Sequence, residues 1–291
     1  MMRIISLKRT TLAGIPSASG IEYYQNAYYV VGDNCSCLFE LNEQFEFKQK
    51  YPLIDSEDHN QVIPKSAKPD FEAITIIRSD QTSWLYIFGS GSAPTRNQFV
   101  KLNLSKPSEV EQFDLSSLYK RLSAISRAGI NLEAAFSYGE YLFLANRADN
   151  AIFRLKLDAF NAYVSGNSSD ISIDRFLIDV PMIQERYTGL SGAAVIPETS
   201  IVIFTASCEN TTNWIDDGEV LGSSIGLFDL NELSPELNTV DFIEIPKSAE
   251  ESALKIESVA ISMANQSGAD LVLVSDSDGG ESELVQIRIS F

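Results

Sequence analysis

Short runs of hydrophobic residues, separated by polar turns, follow one another along the whole chain. Residues 28–31, 84–88, 141–145 and 201–206 are almost continuously apolar, as strands buried on both faces are. Residues 240–245 alternate between apolar and polar instead, which is typical of a half-exposed edge strand. Gly, Asn, Asp, Ser or Pro bounds each run. The pattern predicts an all-β protein, with a single short helix at residues 116–127, where apolar residues have helical spacing.

A three-residue motif opens each group of runs: an oxygen-bearing residue, then a small one, then a small or aliphatic one. Successive copies begin 53, 61, 58 and 66 residues apart. The copies are Ser19-Gly20-Ile21, Glu72-Ala73-Ile74, Glu133-Ala134-Ala135, Ser191-Gly192-Ala193 and Glu257-Ser258-Val259. Repeats of this size that contain several strands are typical of β-propellers. We therefore predict one domain over residues 1–291, a five-bladed β-propeller of four-stranded blades.

The last repeat supplies only three strands before the sequence ends. Residues 2–8 form another apolar run, which precedes the first motif and has no partner in its own repeat. Pairing this N-terminal strand with the last blade would close the ring and leave no open edge between the first and last blades. We predict that closure.

Composition restricts the partners of the protein. The 22 basic and 40 acidic residues give a net charge of −18, which disfavours nucleic acid and anionic membrane surfaces. The apolar stretch at the N-terminus is too short for a signal peptide, and the three cysteines show no disulfide framework. We expect a monomeric, cytoplasmic protein.

The first strand of each propeller blade lines the central tunnel, so the five motif residues should converge on one axis. Three carboxylates in a low-dielectric tunnel must either take up protons or bind a cation. Oxygen ligands without His or Cys favour Ca²⁺, and Mg²⁺ less. The candidate metal ligands are Ser19, Glu72, Glu133, Ser191 and Glu257, with Glu22 as an alternative to Ser19 in the first blade. Alternatively, the carboxylates only line a wet tunnel and are held by hydrogen bonds.

The order Ser, Glu, Glu, Ser, Glu resembles the calcium-activated nucleotidases, the apyrase family. The residues ahead of Glu133, Ser117-Leu118-Tyr119-Lys120-Arg121-Leu122 and then Ala128-Gly129-Ile130, are also similar to that family. The resemblance implies a five-bladed propeller that holds one Ca²⁺ through one residue per blade. It also implies functional roles for Asp33, Arg147 and Glu209, which fall where the family has an Asp, an Arg and an acidic residue. The segment 3–11 lacks the acidic stretch of the secreted apyrases, and the chain is also similar to uncharacterised bacterial phytase-like propellers.

Second-strand ends in a propeller deliver polar residues to one mouth of the tunnel. We expect such a cluster here, with Arg96 nearby, from Asp33, Asn34, Ser90, Ser92, Asn146, Arg147, Glu209, Asn210, Asp276 and Asp278. These groups could hold a phosphoryl group beside a metal while an acid positions water. Two functions remain open: a calcium-dependent hydrolase of a phosphate-containing small molecule, and a non-catalytic propeller that binds a protein or a sugar. The single histidine, His59, lies in an acidic loop and argues against a His-dependent triad.

Overall fold

Five antiparallel sheets, one for each sequence repeat, form the blades of a five-bladed β-propeller. The computed structural model describes residues 2–54, 62–79, 82–211, 218–247, 252–276 and 281–291. In every blade the strand that carries the motif is innermost, and the next strands follow outward in chain order, except that the N-terminal strand is outermost in the last blade. The predicted fold class is confirmed.

The strands alternate in direction from the tunnel outward. The first, β1 (Arg3–Leu12), belongs to the last blade. The first blade contains β2 (Ala18–Tyr24), β3 (Ala27–Gly32), β4 (Cys37–Asn42) and β5 (Phe47–Pro52). The second blade contains β6 (Phe71–Arg78), β7 (Ser83–Gly89), β8 (Gln98–Asn103) and β9 (Val110–Asp114). The third blade contains β10 (Leu132–Tyr138), β11 (Tyr141–Asn146), β12 (Ala151–Lys156) and β13 (Asp174–Ile178). The fourth blade contains β14 (Gly189–Val195), β15 (Ile201–Asn210), β16 (Glu219–Asp229) and β18 (Asp241–Glu244). The fifth contains β19 (Lys255–Asn265), β20 (Gly268–Asp276) and β21 (Ser282–Ser290).

Closure of the ring occurs as the sequence predicts. Strand β1 pairs antiparallel with β21 from Arg3 opposite Ser290 to Leu12 opposite Ser282, and so completes the fifth blade. Leu12 is buried in an apolar cluster that also includes Ile21 and Val274, which joins the first and fifth blades.

A β-bulge interrupts every innermost strand at its motif residue. The register shifts between Ala18 and Gly20, Phe71 and Ala73, Leu132 and Ala134, Leu190 and Gly192, and Ile256 and Ser258. The extra residues are therefore Ser19, Glu72, Glu133, Ser191 and Glu257. Bulges change the direction of a side chain relative to the regular pleat and are common beside functional sites. The sequence repeat thus corresponds to one backbone feature repeated in all five blades.

The small residue after each bulge allows neighbouring blades to approach closely. A Cβ atom on Gly20 would lie 2.1 Å from Ile74 Cγ2, and one on Gly192 would lie 2.7 Å from Ser258 Cα. Both Ile74 and Ser258 belong to the innermost strand of an adjacent blade, so a larger side chain at either glycine would push two blades apart.

Two elements were not predicted from the sequence. Helix α1 (Ser116–Ile125) is confirmed, but a second helix, α2 (Leu157–Val164), directly follows β12. Its eight residues bury only Phe160, so they are too few to show a helical period. Strand β17 (Leu237–Asn238), in the connection between β16 and β18, pairs in parallel with β13 and adds a fifth strand to the third blade.

Leu12→Ala tests the closure. Because Leu12 is buried while Ile5 on the same strand is 59% exposed, we expect Leu12→Ala to lower the free energy of unfolding by about 2–4 kcal/mol and Ile5→Ala by less than about 1 kcal/mol. Urea denaturation measures both. Equal, small losses would mean that β1 does not seal the ring.

Candidate functional site

A cavity of about 500 Å³ opens at the tunnel end where the innermost strands begin. Four of the five bulge residues line it: Ser19, Glu72, Glu133 and Glu257. The fifth, Ser191, is fully buried, and its hydroxyl lies 3.1 Å from Thr205 Oγ1 within its own blade. The structure therefore brings four of the predicted tunnel ligands to one space and leaves Ser191 out of the cavity wall.

A second set of polar residues precedes each bulge by two positions. Ser17, Asp70, Asn131 and Lys255 occupy this position in four blades, and all four line the cavity. In the remaining blade the position is Gly189, and the side chain of Arg147 fills the space beside it: a Cβ atom there would lie 2.4 Å from Arg147 Cγ. Our sequence reasoning missed Asp70 and Lys255, although their constant spacing from the motif was a usable signal.

The third set of cavity residues lies at or just after the C-terminal end of the second strand of each blade, as predicted. Asp33, Ser92, Arg147, Glu209 and Asp276 line the cavity, one from each blade, and Asn34 and Arg96 join them. Ser90, Asn146 and Asn210 are not among the lining residues. Ser90 is buried behind the wall and donates a hydrogen bond to Asp70. Asp278 and His59 lie outside the described residues.

Arg147 connects carboxylates from three blades. Its Nη2 atom donates a hydrogen bond of 3.0 Å to Glu209 Oε2, and its Nη1 atom lies 3.8 Å from Glu133 Oε2 and 3.7 Å from Glu257 Oε2. Lys255 Nζ lies 3.3 Å from Glu257 Oε1 and 3.6 Å from Glu209 Oε1. All of these side chains are about nine-tenths buried. Their charges therefore interact in a medium of low dielectric constant, where an uncompensated charge would strongly destabilise the folded state.

Lys68 forms a second charged centre on the side of the first and second blades. Its ammonium group contacts Asp33 and lies 2.6 Å from Asp70 Oδ1, while Arg96 Nη1 lies 2.8 Å from Asp70 Oδ2. Burial alone would lower the pKa of Lys68, but Glu72, Asp70 and Asp33 raise it on balance, so this residue is an ammonium ion. Lys68 lies in a long polar loop, and nothing in the sequence pattern indicated that it would reach the tunnel.

Several carboxyl groups at this site hold protons more tightly than usual. Burial raises the pKa of Glu133 to about 8, against the opposing effect of Arg147. Burial, reinforced by Asp70, Glu133 and Asp33, raises the pKa of Glu72 well above its usual range. Burial also raises the pKa of Asp33, although Lys68 counteracts it. Carboxyls in one cavity with such perturbed pKa values are suited to proton transfer.

The residues present fit a hard cation at one position in particular. One carboxylate oxygen from each of Asp33, Asp70 and Glu72 lies within 4.8 Å of the others. Asp33 Oδ1 is buried and lacks a hydrogen-bond partner. Three carboxylates, one of which has an orphaned oxygen, match the ligand preference of Ca²⁺ or Mg²⁺. Lys68 and Arg96 contact Asp33 and Asp70, so a cation bound here would compete with them.

The geometry distinguishes Ser19 from the alternative, Glu22. Ser19 is the bulge residue, lines the cavity and donates a hydrogen bond of 2.5 Å to the carbonyl of Phe71, just before Glu72. Glu22 lies in the regular part of β2, opposite Tyr29, and is not among the cavity residues. Burial raises the pKa of Glu22 to about 7. Ser19 is therefore the residue equivalent to the other four.

The fold and cavity define a five-bladed propeller with a polar, highly charged site at one mouth of its tunnel. The chain belongs to the family of unknown function DUF6929, whose model matches residues 14–289. No curated protein matches it.

Solved structures share the propeller architecture at low identity. The glutaminyl cyclase of Myxococcus xanthus is similar with a TM-score of 0.53 and 9% identity, over 99% of this chain and 96% of that one. A mutant α-L-arabinanase of Cellvibrio cellulosa has a TM-score of 0.53 and 10% identity, over 96% and 92%. At identities this low, the similarity shows only that the fold is shared. The function of the site must be argued from its own residues. Among the described residues, neither helix has the length and hydrophobicity required to cross a bilayer.

Arg147→Met tests the bridge between blades. The variant leaves Glu133, Glu209 and Glu257 without the guanidinium, so we expect the free energy of unfolding to fall by about 3 kcal/mol at pH 8. At pH 6 the loss should be smaller, because Glu133, whose pKa burial raises to about 8, is then protonated. Adding Glu257→Gln should restore part of the loss. Thermal melts at both pH values measure this, and a loss that is equal at the two pH values would contradict the bridge.

The pKa of Glu133 gives the stability a specific pH dependence. Between about pH 4.5 and pH 8, folded Glu133 keeps a proton that the unfolded chain has released. The folded state binds more protons in this window, so the free energy of unfolding should decrease as the pH rises through it. Glu133→Gln should reduce that slope, whereas Glu140→Gln, an exposed change on the same hairpin, should not. An unchanged slope in Glu133→Gln would contradict the assignment.

Proposed function

We propose that the tunnel-mouth cavity binds a phosphate-containing small molecule together with a divalent cation and hydrolyses it. The observation that carries the proposal is the balance of charge in one cavity. Seven acidic side chains and five basic ones line it: Asp33, Asp70, Glu72, Glu133, Glu209, Glu257 and Asp276 against Lys65, Lys68, Arg96, Arg147 and Lys255. A divalent cation would balance the excess, and a phosphate would interact with the basic side chains.

Ca²⁺ is the proposed cofactor, with Mg²⁺ as the weaker candidate. Asp33, Asp70 and Glu72 would hold it, because their oxygens converge and one of them has no partner. When bound, the ion would polarise a phosphoryl oxygen and lower the pKa of a bound water. Glu72 is thus the residue common to this position and to the ring predicted from sequence, in which Ser19, Glu133, Ser191 and Glu257 are the other members.

The proposed roles of the remaining residues follow from their contacts. Asp33, whose pKa is raised, would accept the proton of the attacking water. The water oxygen would form the new bond to phosphorus, and the bond from phosphorus to the leaving group would break. Arg147 would stabilise the charge on the phosphoryl oxygens, and Glu209, which accepts a hydrogen bond from its Nη2 atom, would orient it.

The direct test is a thermal melt of metal-stripped protein with and without Ca²⁺, combined with phosphate release from a panel of nucleotides and phosphate esters. We expect calcium to raise the melting temperature and at least one compound to be hydrolysed. Asp33→Asn and Arg147→Lys should abolish phosphate release. Calcium stabilisation without release from any compound would contradict the hydrolase, and absence of calcium stabilisation would contradict the cation site.

Lys68→Met gives a sharper test of the cation position. The ammonium of Lys68 contacts Asp33 and Asp70, so an ion held by these carboxylates must compete with it. We expect the variant to bind Ca²⁺ at least about tenfold more tightly than the wild type, since that competition is removed. Lys65→Met, on the same cavity wall, is the matched control and should change the affinity little. Calorimetric titration measures both, and equal affinities in the two variants would place the ion elsewhere.

A non-catalytic binding propeller is the second candidate, favoured by one observation. Lys68, Arg96, Arg147 and Lys255 already pair with cavity carboxylates, so the protein's own cations can stiffen the ring. In that case the cavity would bind a sugar or a protein segment without turnover. Retention of a ligand by the wild type and by Asp33→Asn alike, with no chemical change in the ligand, would favour this function.

A further inference from the structure

A second depression, of about 1130 Å³, lies at the opposite end of the blades from the charged cavity. Strand β14 runs from the cavity end at Gly189 to Val195, and the turn that follows it forms one wall of this groove. The β19–β20 turn of the fifth blade and the connection from β16 to β18 form the others. We call this depression the distal groove. It shares no residue with the charged cavity.

The distal groove combines an apolar surface with an acidic rim. About half of its lining residues are apolar, among them Phe228 and Leu237, and Leu237 is 56% exposed. Its charged residues are all acidic: Glu198, Asp229, Glu232 and Asp241. No lysine or arginine is among the described residues that line it. The charged cavity, in contrast, matches most of its carboxylates with cations.

This combination points to a partner that is both basic and apolar. Four carboxylates without a cation on the same wall create a negative potential that attracts cations, while exposed apolar side chains favour a ligand that covers them. A second copy of the chain is disfavoured, since each copy has a net charge of −18 and the copies repel one another. An anionic membrane surface is disfavoured for the same reason.

The groove also meets an open sheet edge. Asp241 lines the groove and begins β18, the outermost strand of the fourth blade, which pairs only with β16 within the described part of the chain. An extended peptide can pair with such an edge and place alternate side chains into an adjoining groove. We propose that the distal groove binds an extended peptide segment of another protein that carries alternating basic and apolar side chains.

A fluorescein-labelled octapeptide of alternating lysine and leucine is the probe, followed by fluorescence anisotropy. We expect it to bind the wild type, and to bind more weakly in high salt because the carboxylates are exposed. Octapeptides of alternating glutamate and leucine, or lysine and serine, should bind at least about tenfold more weakly, since each lacks one of the two required properties.

Matched variants assign the binding to the groove. Glu198→Gln with Glu232→Gln should weaken the lysine–leucine peptide by about tenfold, and Leu237→Ser should also weaken it. Glu43→Gln with Glu46→Gln removes the same charge from an exposed turn of the first blade and should leave the affinity unchanged. Equal loss in the two double variants would mean general attraction to an acidic protein and would overturn the proposal, as would no binding to the wild type. Asp33→Asn, in the first blade, should abolish phosphate release but bind the peptide normally, which separates this proposal from the function of the charged cavity.

Discussion

The charged end of this propeller depends on the interaction of the Arg147 guanidinium with three carboxylates. Arg147 comes from the third blade and meets Glu133 of the same blade, Glu209 of the fourth and Glu257 of the fifth. Its position depends in turn on Gly189, which alone among the five equivalent residues leaves room for a neighbouring side chain. One buried cation therefore links two bulge carboxylates, Glu133 and Glu257, with Glu209 from the second strand of the fourth blade. Its removal would leave all three carboxylates poorly compensated.

The five bulges explain how a repeated backbone produces an asymmetric site. Four blades offer the same three positions to the cavity, whereas the fourth blade contributes only Glu209. The occupants separate into two charged centres. Arg147 and Lys255 balance the carboxylates of the third to fifth blades, whereas Lys68 and Arg96 meet Asp33 and Asp70 on the opposite side. Glu72 lies with Asp33 and Asp70, and burial there favours its protonated form. That surplus of acid supports the proposed cation.

The architecture was predictable because it depends on patterns that recur. The motif at Ser19, Glu72, Glu133, Ser191 and Glu257 has the same physical origin in every blade, a bulge followed by a small residue at a close approach, and so it is visible in one sequence. The N-terminal strand was predictable because an unpaired edge is unfavourable. Lys68 was not predictable, since it reaches the tunnel from an irregular loop. Nor could the sequence reveal that Arg147 would occupy the space left by Gly189, because that contact joins residues 42 positions apart.

Burial raises the pKa of Glu72 and of Asp33, so a cation bound between them would displace protons. Calorimetric titration of Ca²⁺ into metal-free protein at pH 7, repeated in two buffers of different ionisation enthalpy, measures the protons released for each ion bound. Because the pKa values of these two proposed ligands are raised, we expect binding with net proton release, and tighter binding at pH 8.5 than at pH 6. Absence of binding, or binding without proton release and without pH dependence, would contradict it.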